Sequence, residues 1–328
     1  MIYAPHTFEL SLILNTDKFE ICKSQAYKNA KGKYRVYQKE DVWYDNAFKD
    51  EGVKIEYHSQ KYKKIIKFII NPTKMLDGND IKKLWKPNSD NISKMLRKLE
   101  KYIGCYFDYQ YELDDFKLTR IDFTVNIDVG DRKKVSAYIK VLHNIGKVKG
   151  FKAKYDKDDS QIDQDLSFDL EGNSNGVEFT AYDKEAESGQ KEAKGILRME
   201  VRLKRQKAIH NYTNETKTSK QIKRLASKSK DIFLDIFTGI VPYGDYCKKK
   251  DAVKLVEDNI SKQRHREKMI RMIELIPKKK SLYLAQKEMN DRNIEKIMKM
   301  FAEINLSPVT ISKRHETKSL KNLYSYLE

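Results

Sequence analysis

Three stretches of this chain place acids, bases and a tyrosine at every second position. In 117–128 (KLTRIDFTVNID), Arg120, Asp122, Thr124, Asn126 and Asp128 alternate with Ile121, Phe123, Val125 and Ile127. In 177–184 (VEFTAYDK), Glu178, Thr180, Tyr182 and Lys184 alternate with Val177, Phe179 and Ala181. In 196–204 (ILRMEVRLK), Arg198, Glu200, Arg202 and Lys204 alternate with Leu197, Met199, Val201 and Leu203. Side chains alternate faces along a strand, so each stretch reads as a strand with one apolar and one polar face. If the three are neighbours in an antiparallel sheet, their polar rows merge. Carboxylates are poor strand formers, so Asp122 and Glu200 at mid-strand call for a role. Paired carboxylates can hold Mg²⁺ or Mn²⁺, ions that also take water and phosphate oxygens. Such an ion offsets charge building on a phosphate, and a tyrosine beside it can attack phosphorus and keep the phosphate covalently. A phenol ionises near pH ~10 and needs help; Lys184 could lower that value or stabilise the leaving oxygen, and Glu178 could accept the proton. The alternative is a solvated polar face whose cross-strand ion pairs contribute roughly 0.2–1 kcal/mol each.

The flanking elements must hold these rows in place. Residues 1–70 read as strands at 8–14, 33–38, 53–59 and 63–70, with Asn71-Pro72 closing the last. Helical spacing follows at 79–86 and at 91–104, where Asn88-Ser89-Asp90 supplies the cap. Residues 132–146 suit a helix, and 166–170 with 177–184 suit a hairpin. Helices at 91–104 and 132–146 would cover the apolar face. The expected fold is α+β: an antiparallel sheet with helices on one face. It divides into an α+β domain over 1–207, whose halves at about 1–113 and 114–207 suggest a structural duplication, and a mostly helical domain over 208–328. Helices are expected there at 218–228, 230–238, 251–275, 281–289 and 291–303, with Pro277 and Lys278–Lys280 as a break. A helix-turn-helix could lie among them, although a plain bundle suits the pattern as well.

Composition narrows the partners. The 328 residues carry 66 Lys+Arg against 48 Asp+Glu, a net charge of +18, which favours a polyanion, nucleic acid first. Between Lys184 and Lys230 there are fourteen Lys/Arg against five Glu, a stretch that could track a phosphate backbone. The 39% of hydrophobic residues, with 20 Tyr and 13 Phe, support a packed core and argue against disorder. No apolar run spans a bilayer, the first residues lack a signal-peptide pattern, and three scattered cysteines form no CxxC, which points to a reducing cytoplasm and against a zinc ribbon. GxxxxGK[ST] and GxSxG are absent, so ATP hydrolysis and serine-hydrolase chemistry are not expected. The six histidines, at 6, 58, 143, 210, 265 and 315, are isolated and read as surface or packed residues rather than ligands.

Three of these segments resemble motifs of the rolling-circle replication initiators, in particular the Rep_trans group and the phage gene II/X group. Thr119–Asp128 is similar to their R-[IL]-D-x-x-x-[DN] strand, Ala181–Glu187 to their Y-[DE]-K-x-x-E motif, and Leu197–Lys204 to their R-x-E-x-[RE]-L-K strand, in the same order and spacing. Asn305–Ile311 looks like the tail of the gene II/X proteins. The resemblance implies a relaxase- or nickase-like fold and a sequence-specific, metal-dependent DNA nickase and strand transferase of a bacterial plasmid or phage. It places the nucleophile on Tyr182, beside the Lys184 already singled out, and the metal-site acids on Asp122 and Glu200. Tyr155, Tyr212, Tyr243 and Tyr246 are rival nucleophiles. Candidate DNA contacts are Arg120, Arg198, Arg202, Lys204, Arg205 and Lys207. The implied partners are a double-strand origin, supercoiled or locally single-stranded, a host helicase and polymerase, and a second copy of the chain, with no membrane. A relaxase of a conjugative element, a non-catalytic origin-binding regulator and an RNA-binding protein are the competing functions.

Overall fold

The computed structural model of the protein describes residues 1–30, 35–78, 83–153 and 166–328. Ten strands build one antiparallel sheet: β1 (Ala4–Leu14), β2 (Val36–Lys39), β3 (Val42–Asp45), β4 (Val53–Gln60), β5 (Lys63–Ile70), β6 (Lys117–Asp128), β7 (Phe151–Ala153), β8 (Ser167–Gly172), β9 (Val177–Asp183) and β10 (Ile196–Leu203). Their order across the sheet is β2-β3-β4-β5-β1-β6-β10-β9-β8-β7. Read from either edge inward, four consecutive strands lead to the first strand of their own half. The two first strands, β1 and β6, pair at the centre, with Thr7 opposite Asp122 and Phe8 opposite Ile121. A helix follows each first strand: α1 (Thr16–Lys28) after β1 and, after α2 (Pro72–Asp77) and α3 (Ser89–Tyr106), α4 (Arg132–Ile145) after β6. The two halves thus repeat one strand-helix-four-strand plan.

The long β6 follows from unbroken alternation, which buries Ile121, Phe123, Val125 and Ile127 against the helices. Helix α1 corrects the reading of 1–70 as strands. Phe19, Cys22 and Ala26 recur at helical spacing and are buried, and the Asn15 side chain caps the first turn by accepting from the Lys18 amide at 2.9 Å. The helix expected at 79–86 is a second correction: residues 83–86 are not helical, and 79–82 lie outside the described residues. The helical turn here is α2, whose Pro72 sits at the first position behind an Asn71 cap. Strand β2 starts later than expected; residues 33–34 lie outside the described residues, and β3 pairs with it as an unanticipated hairpin.

Helix α4 covers the apolar face of the second half against β8, β9 and β10. Helix α3 lies against α2 and the later helix Thr218–Ser227, and its C-terminal end covers β5 through Tyr106 and the following Phe107, whose rings stand 5.6 and 5.9 Å from the buried Phe68. After β9 and β10 come the short α5 (Lys184–Ser188) and α6 (Gln206–His210), then α7 (Thr218–Ser227), α8 (Ser229–Ile240), α9 (Lys249–Asn259), α10 (Gln263–Lys279), α11 (Leu282–Met289), α12 (Ile294–Glu303) and α13 (Tyr324–Leu327). A small ladder, β11 (Tyr246–Cys247) with β12 (Ser319–Leu320), ties the tail together. Helix α8 docks on the sheet, with Phe237 set against Phe179 of β9 at 6.2 Å and Phe233 against Tyr3 at 5.5 Å. The single helix expected at 251–275 is two, α9 and α10, separated at Ile260, whose backbone is extended. Pro277 is no break: it lies in the last turn of α10, which ends at Lys280 in the left-handed region. Among the described residues no helix is long and apolar enough to cross a membrane.

Candidate active site

The three polar rows are neighbours. In the β6–β10 pairing, Arg202 faces Asp122, Glu200 faces Thr124 and Arg198 faces Asn126. In the β10–β9 pairing, Arg202 faces Glu178, Glu200 faces Thr180 and Arg198 faces Tyr182. A grid of nine polar side chains results, three from each strand. The turn beyond it needs glycine: Gly195 has φ +76, and a Cβ there would sit 2.8 Å from the Gly130 carbonyl carbon. That approach lets the Val129 amide donate to the Gly195 carbonyl at 2.9 Å and fixes the ends of β6 and β10 together.

Two guanidinium groups roof the acids. Arg120 donates to Asp122 through Nε at 2.8 Å and Nη2 at 2.5 Å. Arg202 donates to Glu200 through Nη2 at 2.8 Å and Nε at 3.2 Å. The Tyr182 hydroxyl donates to Glu200 Oε1 at 2.6 Å, and Lys204 donates to Glu178 at 2.8 Å. Asp122 and Glu200 are buried, whereas Arg120 and Arg202 keep 29% and 23% of their side chains exposed. The acids therefore reach solvent only past the arginines. This is not an open solvated row, in which each pair would be independently wet.

The ionisation of these groups follows from burial and charge. Burial raises Asp122 to about 6, against the pull of Arg120 and Arg202 and with the Glu200 charge adding to the rise. Glu200 is buried as well, but Arg202, His6 and the Tyr182 hydroxyl together hold it at about 2. Burial and the neighbouring Glu200 charge push the Tyr182 phenol above its ordinary value. Tyr182 is thus a protonated hydrogen-bond donor here, and its activation requires a change of partners.

His6 enters the grid from β1. The β1–β6 register slips between Pro5 and Thr7, and this bulge turns the His6 ring toward the polar face, where Nε2 lies 3.4 Å from Arg198 Nη1. Burial, reinforced by the Arg198 charge, lowers His6 to about 4, so its imidazole is neutral at pH 7. Its Nδ1 is buried without a partner, and so is Thr124 Oγ1, which faces Glu200 across the β6–β10 pairing. Buried polar atoms are rarely left unpaired, so these two are hydrogen-bonding groups that the protein itself does not satisfy. Two carboxylates, a hydroxyl and a neutral imidazole are donors that suit Mg²⁺ or Mn²⁺. Among the described residues no three His, Cys, Asp or Glu side chains yet converge on one ion position, because the acids are turned toward guanidinium groups. The donor types suit a divalent cation, and in this structure the acids among them are held by Arg120 and Arg202.

A family model for the N-terminal region of the replication-associated gene II protein matches residues 8–219. The chain belongs to this family. The match takes in Asp122, Glu178, Tyr182, Glu200 and Arg202, and leaves α8 to α13 outside. No curated protein matches. A solved rolling circle replication initiator protein from Geobacillus stearothermophilus is similar over 73% of this chain and 85% of its own, with 12% identity and a TM-score of 0.36.

In this member of the gene II protein family the nine-residue grid gathers Asp122, Glu200, Tyr182, Arg198 and Arg202, with Arg120 and Lys204 at its rim. Lys184 is the first residue of α5 and pairs with Glu187 rather than continuing the β9 row. Arg198 is buried and donates to Asn126 at 2.7 Å, so it is a wall of the site rather than an exposed contact. Arg205 and Lys207 lie beyond the end of β10 and are exposed. Among the rival tyrosines, Tyr212 bonds Asp235 at 2.7 Å, Tyr243 packs on Tyr324, and Tyr246 is buried under α4 beside Tyr138; Tyr155 lies outside the described residues. His6 is the residue that sequence reasoning missed. Its signal was slight: a histidine after a proline, Pro5-His6, at the start of the central strand, where a bulge could form.

Proposed function

We propose that this protein initiates rolling-circle replication by nicking one DNA strand through Tyr182. The observation that carries the reading is the 2.6 Å hydrogen bond from the Tyr182 hydroxyl to Glu200 inside a buried acid cluster rimmed by arginines. In the reaction the Tyr182 oxygen attacks phosphorus, the bond from phosphorus to the 3′ oxygen breaks, and the 5′ phosphate stays on the tyrosine. The phenolic proton leaves once Tyr182 has exchanged its bond to Glu200 for a basic partner, and the departing 3′ oxygen takes up a proton to become the 3′-OH that a polymerase extends. Arg120 and Arg202, at the mouth, are placed to bind phosphate oxygens as guanidinium forks. Asp122 and Glu200 would hold a divalent cation, Mg²⁺ or Mn²⁺, which supplies charge neutralisation at the phosphate. Lys204, with Arg205 and Lys207 beyond it, continues the basic rim along which a DNA backbone would run.

The test is a nicking assay on supercoiled plasmid carrying this gene and its flanking DNA, with Mg²⁺ or Mn²⁺ and with EDTA. Metal-dependent open circles and a covalent protein–DNA adduct, both lost in Tyr182→Phe while DNA binding persists, are the expected result. Nicking that survives the substitution moves the nucleophile to another tyrosine. The pairing of both acids with arginines favours a second reading, a DNA-binding regulator without nuclease chemistry. Tight binding to origin DNA with no nick under any metal condition would establish that reading instead.

A further inference from the structure

Three carboxylates from three adjacent strands face one guanidinium. Arg202 Nη2 lies 2.8 Å from Glu200 Oε2, Nε lies 3.8 Å from Asp122 Oδ2, and Nη1 lies 3.8 Å from Glu178 Oε2. Asp122 has a second cation in Arg120 and Glu178 has one in Lys204; Arg202 is the cation shared by all three. It stands in the end row of the grid between Asp122 and Glu178 and reaches back to Glu200, which faces the unpartnered Thr124 hydroxyl.

We propose that Arg202 occupies the seat of a divalent cation in the free protein, and that the two exchange when a DNA phosphodiester arrives. This deepens the nickase reading and rests on it. A cation ligated by Glu200 and Asp122 would lie within about 4 Å of the guanidinium, where two like charges in a partly dry site repel strongly. Both cannot hold the same carboxylates. Arg202 is free to leave in a way Arg198 is not: its head is partly exposed on a long flexible stem, whereas Arg198 is buried. A phosphodiester offers the guanidinium two oxygens in the geometry it prefers. As Arg202 turns to the phosphate, Glu200 and the Thr124 hydroxyl become available to the metal, and Asp122 joins them when Arg120, which holds both of its oxygens, turns to the phosphate as well. DNA and metal then bind cooperatively, each by the same factor, and the free protein carries no preloaded ion beside its tyrosine.

The experiment is calorimetric titration of Mn²⁺ into the EDTA-treated, dialysed full chain, with no DNA present, supported by Mn²⁺ electron paramagnetic resonance. Arg202→Gln is expected to bind Mn²⁺ at least tenfold more tightly than the unaltered protein, and adding Glu200→Gln is expected to abolish that gain. Mn²⁺ should also raise the melting temperature of Arg202→Gln more than that of the parent. If Arg202→Gln does not fold, Arg202→Lys, which keeps one charge but cannot span three acids, should still tighten Mn²⁺ severalfold. Equal or weaker Mn²⁺ binding in whichever variant folds overturns the exchange. Tight Mn²⁺ binding by the unaltered protein together with plasmid nicking overturns the exchange and leaves the nickase standing. Tightening in the variant without nicking by the parent supports the exchange and removes the nickase reading.

Discussion

Replacing His6 should change the sign of the stability response to mild acid. The imidazole is held neutral, down to about 4 from an ordinary 6.5, by burial and by Arg198. In the folded state it resists a proton that the unfolded chain accepts, so stability is lost as pH falls from 6.5 toward 4. Between pH 7 and pH 5 this loss is about 2 kcal/mol. Asp122 works the other way. Its folded value of about 6 lies above the ordinary 3.8, so the folded state takes up a proton first and gains about 1 kcal/mol over the same interval. Glu200, held at about 2, loses its contribution only as pH falls below about 4.5 and stays outside the window. In the parent the two titrations oppose each other, and a net loss of up to about 1 kcal/mol remains. His6→Gln should therefore gain roughly 2 kcal/mol relative to the parent on going from pH 7 to pH 5, and Asp122→Asn should lose about 1. Urea unfolding of EDTA-treated protein at the two pH values measures both differences. If His6→Gln and the parent respond equally to acid, His6 is a solvated imidazole, and the dry β1–β6–β10 junction described above is wrong.

Other consequences are simpler. Thr124→Val removes an unpartnered buried hydroxyl without changing shape, and should raise the stability of the metal-free protein by up to ~1 kcal/mol in urea unfolding while weakening Mn²⁺ binding. Phe237→Ala empties the contact between α8 and β9, among rings 5.0 to 6.2 Å away, and should cost about 3–5 kcal/mol. Gly195→Ala forces a left-handed backbone and a 2.8 Å contact on the β6–β10 turn; a loss above ~1 kcal/mol and a lower melting temperature are expected.

Where one rule acted alone, the sequence was easy to read. Strand β6 was legible to the residue because period-two alternation runs unbroken through it, and the grid of Asp122, Glu200 and Tyr182 followed from the same parity. Helix α1 was hidden because Phe19, Cys22 and Ala26 form too thin an apolar stripe, in a segment whose neighbours are all strands. The break at Ile260 was missed because no Pro or Gly marks it, although the apolar spacing does lapse there: after Ile260 the next apolar residue is Met269. His6 was unreadable for a different reason. A bulge shifts parity by one residue, so a face assignment by alternation fails where the bulge occurs.

The repeated plan explains why one bulge matters so much. In the first half, the strands equivalent to β6, β10 and β9 are β1, β5 and β4. On the same open face they carry Glu9 paired to Lys67 at 3.0 Å, and Glu56 paired to Lys54 and His58 at 2.9 Å. Ile65 and Ile69 stand in β5 on the face where β10 carries its arginines and Glu200, and the β4 tyrosine, Tyr57, points into the core and bonds Tyr106. That half has its own acid–tyrosine contact, Tyr106 donating to the buried Asp45 at 2.8 Å, but it lies at β3 and α3 rather than on the β1, β5 and β4 rows that match the grid. Because β1 and β6 meet at the centre, the first half borders the grid, and the Pro5-His6 bulge is the point at which it reaches across. The site is thus built by one half and completed by the other, and its placement beside the seam, rather than at an outer edge, is what gives a buried cluster of acids a neutral imidazole and an unpartnered hydroxyl as neighbours.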